Sequence, residues 1–185
     1  MKSMMYKYLD HLPLIPDDLI RQYRPFADPN KFGTGIQNPY DPLPGQAHHA
    51  RFNLSNNLLD WLHDNITNDT ENDCSVAYTY GNQSAPYPVA HRLHRDTKRN
   101  WVLMYLVYPG GEDVVTSFYQ QQDQPLSIPI GNRPDIDPSK LTLIDSVVVE
   151  TRRWFLLNAM IIHDVKNIIS PRISIQVGSI NNVFC

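Results

Sequence analysis

The sequence predicts a mainly β domain of the jelly-roll or barrel kind, with helices packed on one sheet from its N-terminal side. Three observations carry this. From residue 74 onward, the stretches 74–80, 89–95, 101–108, 114–119, 141–150, 153–157, 158–163 and 173–179 are short and rich in branched and aromatic side chains. Gly and Pro punctuate the joints between them, as they do where short strands close into a jelly roll or barrel. The clearest helical period comes before all of them: Leu54, Leu58, Leu59, Leu62 and Ile66 recur at three- and four-residue steps.

Taken in order, residues 1–26 hold an extended apolar opening and then Pro16-Asp17-Asp18-Leu19-Ile20, where Asp17 or Asp18 is expected to cap a short helix running toward Tyr23. Between Pro25 and Gly45 the breakers Pro29, Gly33, Gly35, Pro39, Pro42 and Pro44 exclude long regular structure, and a surface loop bordering a substrate entrance is expected. Asn53 or Ser55 is placed to cap the helix over 54–66. Pro109-Gly110-Gly111-Glu112 reads as a tight reversal between two apolar strands. The Pro-rich stretch 120–140 reads as a long connection that folds over the mouth of the barrel. One domain over 1–185 is expected, with a helical and loop region over 1–73 and a β core over 74–180.

Composition narrows the function classes. A net charge of -3, with 16 Lys and Arg scattered against 19 Asp and Glu, is no polyelectrolyte signature, so nucleic acid is not an expected partner. Cys74 and Cys185 lie in no paired metal-ligand spacing. The opening Met1–Lys7 leads to Asp10 and His11 rather than to an apolar secretory core, and no run has membrane-spanning length, from which a soluble cytoplasmic protein is expected.

The chemistry-bearing residues are concentrated in two places. In an extended chain His94 and Asp96 lie two apart on one strand face, so that imidazole and carboxylate converge. His163 follows the apolar run Met160-Ile161-Ile162 and completes two imidazoles and one carboxylate, a set that holds Fe(II) on one face and leaves other positions open. Nine residues on comes Arg172, with Ser174 two further on the same face; a guanidinium beside a hydroxyl is suited to a two-point grip on a carboxylate. Each has a plainer explanation. His94 and Asp96 make a surface hydrogen-bonded pair, His163 bonds a backbone carbonyl, Arg172 forms a rim ion pair with Asp164, and Ser174 simply points into a polar barrel. His91, three residues from His94, is expected on the opposite strand face, as a core residue or behind the ligands. His48 and His49, in the segment 46–50, have two readings, approach to the site from the loop or exposure, of which exposure is the expected one.

The order His94-x-Asp96, then His163, then Arg172-x-Ser174 resembles the Fe(II)/2-oxoglutarate-dependent oxygenase superfamily, over roughly residues 74–180. Within it, His94-Arg95-Asp96 followed by Arg99 and the strand 101–108 looks most like the small aspartyl/asparaginyl hydroxylase-like and phage-type members. The resemblance implies a double-stranded β-helix, with His94, Asp96 and His163 as metal ligands and Arg172 and Ser174 on the distal carboxylate of 2-oxoglutarate. It also implies molecular oxygen as a reactant, and release of succinate and CO2. Arg99, Tyr105 and Tyr87 are candidate contacts to substrate or co-substrate, with Tyr78 and Tyr80 as further phenols; Arg99 has the alternative of solvating its own turn. Halogenases of this kind typically lack the ligating carboxylate, so Asp96 argues against that branch.

The function expected on this basis is hydroxylation of an amino-acid side chain, in a small molecule or a polypeptide. Two other classes use the same architecture: a non-catalytic cupin-type module binding a small ligand or sugar, and a cupin-like dioxygenase or isomerase with no 2-oxoglutarate requirement.

Overall fold

The computed structural model describes residues 4–23, 36–37, 43–67, 73–81, 85–132 and 134–181. These form β1 (Tyr6–Tyr8), α1 (Asp17–Ile20), β2 (Ile36–Gln37), β3 (His48–Phe52), α2 (Asn56–Asn65), β4 (Asp73–Tyr80), β5 (Val89–His94) and β6 (Trp101–Pro109). They continue with β7 (Val115–Gln121), a 3-10 turn (Pro138–Lys140), β8 (Leu141–Val148), β9 (Trp154–Asn158), β10 (Ile162–Ile168) and β11 (Arg172–Ser179). The fold is mainly β, two antiparallel sheets arranged as a sandwich. The larger sheet has the order β1-β9-β6-β11-β4-β3-β2 and the smaller β5-β10-β7-β8.

The side-chain period of two divides the larger sheet into two faces. On the outer face Ile173, Ile175 and Val177 of β11, Val76 and Tyr78 of β4, Leu103 and Tyr105 of β6, and Trp154 and Leu156 of β9 join one core cluster. Leu58 and Leu62 of α2 and Leu9, Ile15 and Ile20 from the N-terminal segment belong to the same cluster. The leucine period of α2 exists because that helix buries one stripe here. On the inner face Val102, Met104, Phe155 and Leu157 pack with Phe118 of the smaller sheet at one end. Beside them, and lined by these same four residues, a cavity opens, walled also by His49, Thr79, Arg172, Ser174 and Gln176 from this sheet and by His91, His94, His163 and Val165 from the smaller one.

Several expectations need correction. The region before residue 74 is not only helix and loop: β1 pairs with β9 through Tyr6 and Leu157, and β3 pairs with β4 through His48 and Tyr80. Most of the expected 25–45 loop lies outside the described residues, and within it Ile36–Gln37 forms β2 against β3. Pro16, not Asp17 or Asp18, stands at the N-cap of α1. Ser55 occupies the N-cap of α2, but its hydroxyl accepts from Gln22 Nε2 at 2.9 Å instead of capping, tying the helix to the N-terminal segment. The two strands flanking Pro109–Glu112 belong to different sheets, so this turn is a passage between sheets and not a hairpin. Its Gly110 has φ +86, and a Cβ there would meet the Arg172 Cβ at 3.0 Å, so a glycine lets the passage run close beneath Arg172.

Candidate metal centre

His94 and His163 are direct cross-strand partners in the β5–β10 pair, which sets their rings 4.4 Å apart between centroids. β5 ends at His94, so Asp96 lies on the connection beyond the strand, where its backbone N–H donates to the Ala159 carbonyl at 3.2 Å. That anchor turns the carboxylate back toward the imidazoles: His94 Nε2 and Asp96 Oδ1 are 3.4 Å apart. One ligand atom from each of His94, Asp96 and His163 lies within 4.8 Å of the others.

The surroundings prepare these atoms to donate. His94 Nδ1 lies 2.7 Å from the Arg92 carbonyl and His163 Nδ1 lies 2.9 Å from the Ile161 carbonyl. A carbonyl only accepts, so in each ring Nδ1 carries the proton and Nε2 keeps its lone pair for the cluster. Asp96 Oδ2 accepts from Arg99 Nε at 2.5 Å, leaving Oδ1 to face the histidines. Burial on its own would raise the Asp96 carboxyl, but Arg99 and His94 outweigh it and hold the group well below the usual carboxylate range. Burial, with neighbouring His94, lowers His163 to about 4. At neutral pH Asp96 is therefore ionised and His163 neutral, the states that metal ligation requires.

Arg99 continues the network, donating from Nη2 to Gln176 Oε1 at 2.8 Å, while Gln176 Nε2 donates to Ser174 Oγ at 3.0 Å. The Ser174 hydroxyl proton is thereby left for another acceptor. Gly178, two residues further on β11, makes room for Arg99: a Cβ there would lie 2.5 Å from Arg99 Cδ. Arg172 stands on the same face, 6% exposed, with Nη1 donating to the Pro109 carbonyl at 3.2 Å. Among the described residues no carboxylate lies within ion-pairing distance of Arg172; the suggested partner Asp164 instead meets Tyr119 and Lys166 on the other side of β10. Burial lowers the Arg172 guanidinium to about 10.

The structure thus brings His94, Asp96, His163, Arg99, Arg172 and Ser174 onto the walls of one cavity of about 550 Å³. It does not bring the tyrosines there. Tyr105 alternates with Val102 and Met104, so when those two line the cavity it must face away, and it packs on Trp154 at 5.0 Å between centroids. Tyr78 and Tyr80 occupy the corresponding outward positions of β4, and Tyr87 packs in a separate small cluster with Ala47, Ala85 and Val89.

Three residues stand elsewhere than expected. His91 shares the cavity with His94, their rings 4.5 Å apart, because the β5–β10 register slips: three steps on β5 match two on β10. The extra residue is a bulge, and it returns His91 to the face that strict alternation denies it. His49 is no exposed loop residue but an inner-face residue of β3, stacked on His91 at 4.5 Å and bonded through Nδ1 to Thr79 Oγ1 at 3.0 Å. His48, on the other face of β3, stacks on Tyr80. Nor does the 120–140 segment fold over the mouth. None of its described residues lines the cavity, and it packs behind the Asp96 connection, where Arg95 Nη2 donates to Gln124 Oε1 at 3.2 Å.

Comparison of the chain with family models, curated proteins and solved structures finds no match.

Proposed function

We propose that this protein is an Fe(II)- and 2-oxoglutarate-dependent dioxygenase, built on a double-stranded β-helix of the jelly-roll type, that hydroxylates an amino-acid side chain in a small molecule or a polypeptide. One observation carries the reading: two imidazoles and a carboxylate converge in the same cavity as a buried guanidinium that has no carboxylate partner among the described residues. The donor set fits the metal. His94 and His163 are held with Nε2 available, Asp96 Oδ1 faces them, and N,N,O ligation from one side suits non-haem Fe(II).

When bound, Fe(II) with 2-oxoglutarate supplies an oxidant strong enough to take hydrogen from a C–H bond, with oxygen consumed and succinate and CO2 released. The protein contributes position and charge. Arg172 would hold the distal carboxylate of the co-substrate through the donors that Pro109 does not use, and the spare Ser174 proton would give it a second contact. Arg99 keeps Asp96 ionised and fixes which oxygen points inward. His163 and the apolar Val102, Met104 and Phe155 on the same walls limit water near the reacting centre.

The test is production of succinate from 2-oxoglutarate under oxygen with Fe(II). His94→Ala and Asp96→Ala are expected to abolish it, and Arg172→Ala to raise the 2-oxoglutarate concentration required by at least tenfold. Metal binding without any 2-oxoglutarate binding would point instead to a cupin-type module. Turnover indifferent to Arg172→Ala would point to an oxygenase or isomerase that does without the co-substrate.

A further inference from the structure

A chain of hydrogen bonds runs along the cavity wall from the metal cluster toward the end where Arg172 stands. Arg99 donates from Nε to Asp96 Oδ2 and from Nη2 to Gln176 Oε1 at 2.8 Å, and Gln176 Nε2 donates to Ser174 Oγ at 3.0 Å. Its polarity follows from the groups themselves. A guanidinium has protons and no acceptor, so the amide of Gln176 must turn its oxygen toward Arg99. The amide nitrogen then faces Ser174 and can only donate, so the hydroxyl must accept and keep its own proton for the cavity. Ser174 shares the inner face of β11 with Arg172, and both line the cavity. An anion anchored by Arg172 thereby meets a proton at Ser174 rather than a lone pair. Neither cross-strand neighbour of Gln176 can do the same: Met104 has no polar proton, and the Ser75 hydroxyl is engaged by Arg51 Nε at 3.1 Å. Gln176 and Ser174 are both buried, so a lost partner is not readily replaced by water.

We propose that Gln176 is a positioning residue: oriented by Arg99, it holds the Ser174 hydroxyl as a hydrogen-bond donor to a carboxylate bound at Arg172, and it ties that end of the cavity to the metal ligand Asp96. On the reading of the site given above, the carboxylate is the distal one of 2-oxoglutarate. The role depends on which end of the amide points where, not on the size of the side chain. Gln176→Glu keeps the shape and reverses the polarity. With oxygens at both ends, and ionised beside Arg99, it still accepts from the guanidinium but can only accept from Ser174 as well. The hydroxyl must then give its proton to the wall and turn a lone pair to the anion.

The experiment uses the full chain and measures Mn(II) affinity by isothermal titration, then the anion concentration needed for half-maximal thermal stabilisation with Mn(II) bound. The anions are 2-oxoglutarate and glutarate, which has the same two carboxylates and no keto oxygen to chelate a metal. Gln176→Glu is expected to hold Mn(II) affinity within about threefold of the parent, since Arg99 keeps an acceptor and Asp96 its orientation. It should raise the anion requirement about tenfold or more, the usual scale for a hydrogen bond to a charged group. Gln176→Met removes both contacts and should weaken Mn(II) binding too, by ~10-fold or more. A new negative charge would itself repel an anion, and the Ser174→Ala background separates the two causes: the anion penalty of Gln176→Glu should shrink there by about threefold or more, because it acts through the hydroxyl. Should the buried carboxylate not fold, Gln176→Met carries the same comparison. A penalty undiminished in that background, an anion requirement unaltered by Gln176→Glu, or a parent chain that neither anion stabilises overturns the proposal. If glutarate stabilises the parent and 2-oxoglutarate does not, the oxygenase reading fails and the role of Gln176 is judged on glutarate. If 2-oxoglutarate stabilises it but the Ser174→Ala background leaves the penalty whole, the oxygenase reading stands and this one falls.

Discussion

Along β11, Ile173, Ile175 and Val177 face the helices while Arg172, Ser174 and Gln176 face the cavity, and no member of either set is more than 9% exposed. The two faces are equally removed from bulk water and opposite in chemistry. Burying the outer face is favourable at ~25 cal/mol per Å² of apolar area. Burying the inner face is unfavourable unless its polar groups are paired, and for a guanidinium without a carboxylate it remains so. The outer face therefore holds the sheet in shape, and the inner face uses that rigidity to keep a costly constellation in place. Stability and chemistry are assigned to alternate residues of the same strand.

The first way to break this division is on the outer face. Leu62 is 0% exposed between α2 and the sheet, and Leu62→Ala is expected to lower stability by about 2–5 kcal/mol in urea titration. Metal affinity under native conditions should be unchanged, and a matching loss of metal binding would show that the faces are not independent. The second probes the inner face through Gly178. Adding one methyl in Gly178→Ala meets Arg99 Cδ at 2.5 Å, so the arginine must shift, and its hydrogen bond to Asp96 is expected to be disturbed. Disturbing a residue that orients a ligand typically weakens metal binding ~10–100-fold, and isothermal titration with Mn(II) checks it. Global stability should change less than in Leu62→Ala.

The same division explains what the sequence could and could not disclose. The outer face announces itself through branched and aromatic residues, alternating with polar ones in β11 and forming near-continuous apolar runs in β6 and β9, so β4, β6, β9 and β11 were legible to within a residue or two. His94, Asp96 and His163 were legible because a two-residue spacing and an apolar run leading to a histidine are local signals. β3 was not. Its inner residues His49 and Arg51 are polar because the cavity is, and a polar residue in a sequence reads as exposed whether it faces water or a site. β1 is three residues whose identity as a strand comes wholly from pairing with β9. Tyr105 was misplaced because alternation says that Met104 and Tyr105 point apart but not which of them points inward. The bulge that gathers His91 beside His94 lies in β5 itself, but it shows only in the pairing with β10, and the alternation of residues 89–94 does not reveal it.

A third prediction sharpens the contrast by making the inner face resemble the outer one. Arg172→Met keeps length and removes a buried charge that has no carboxylate partner among the described residues. The metal-free protein should gain about 1–2 kcal/mol in denaturant unfolding, since replacing buried charge by apolar volume is often stabilising. The same variant should lose thermal stabilisation by 2-oxoglutarate. A destabilised Arg172→Met would mean that the guanidinium has a structural role and that the inner face is not held at the expense of stability.

The smallest effect is expected from acid, acting through His49. This half-buried ring is lowered to about 3, first by burial and then by the nearby His94, with Arg99 and Arg51 adding and Asp96 opposing. Its folded value lies below the ordinary 6.5, so the unfolded chain takes up a proton at a pH where the folded one does not. The corresponding stability is fully present above pH 6.5 and is lost as pH falls from there toward 3. Between pH 6.5 and 5.5 one such group changes stability by less than about 1 kcal/mol, because a pKa unit corresponds to ~1.4 kcal/mol and partial solvent screening trims it. His49→Gln keeps a hydrogen-bonding group beside Thr79 and removes the titration. Unfolding with chelator present, so that metal release does not contribute, should then show a shallower loss of stability across that interval than the parent chain. An unaltered slope would mean that His49 takes up its proton at the same pH in the folded cavity as in the unfolded chain, and that burial does not exclude charge at this position.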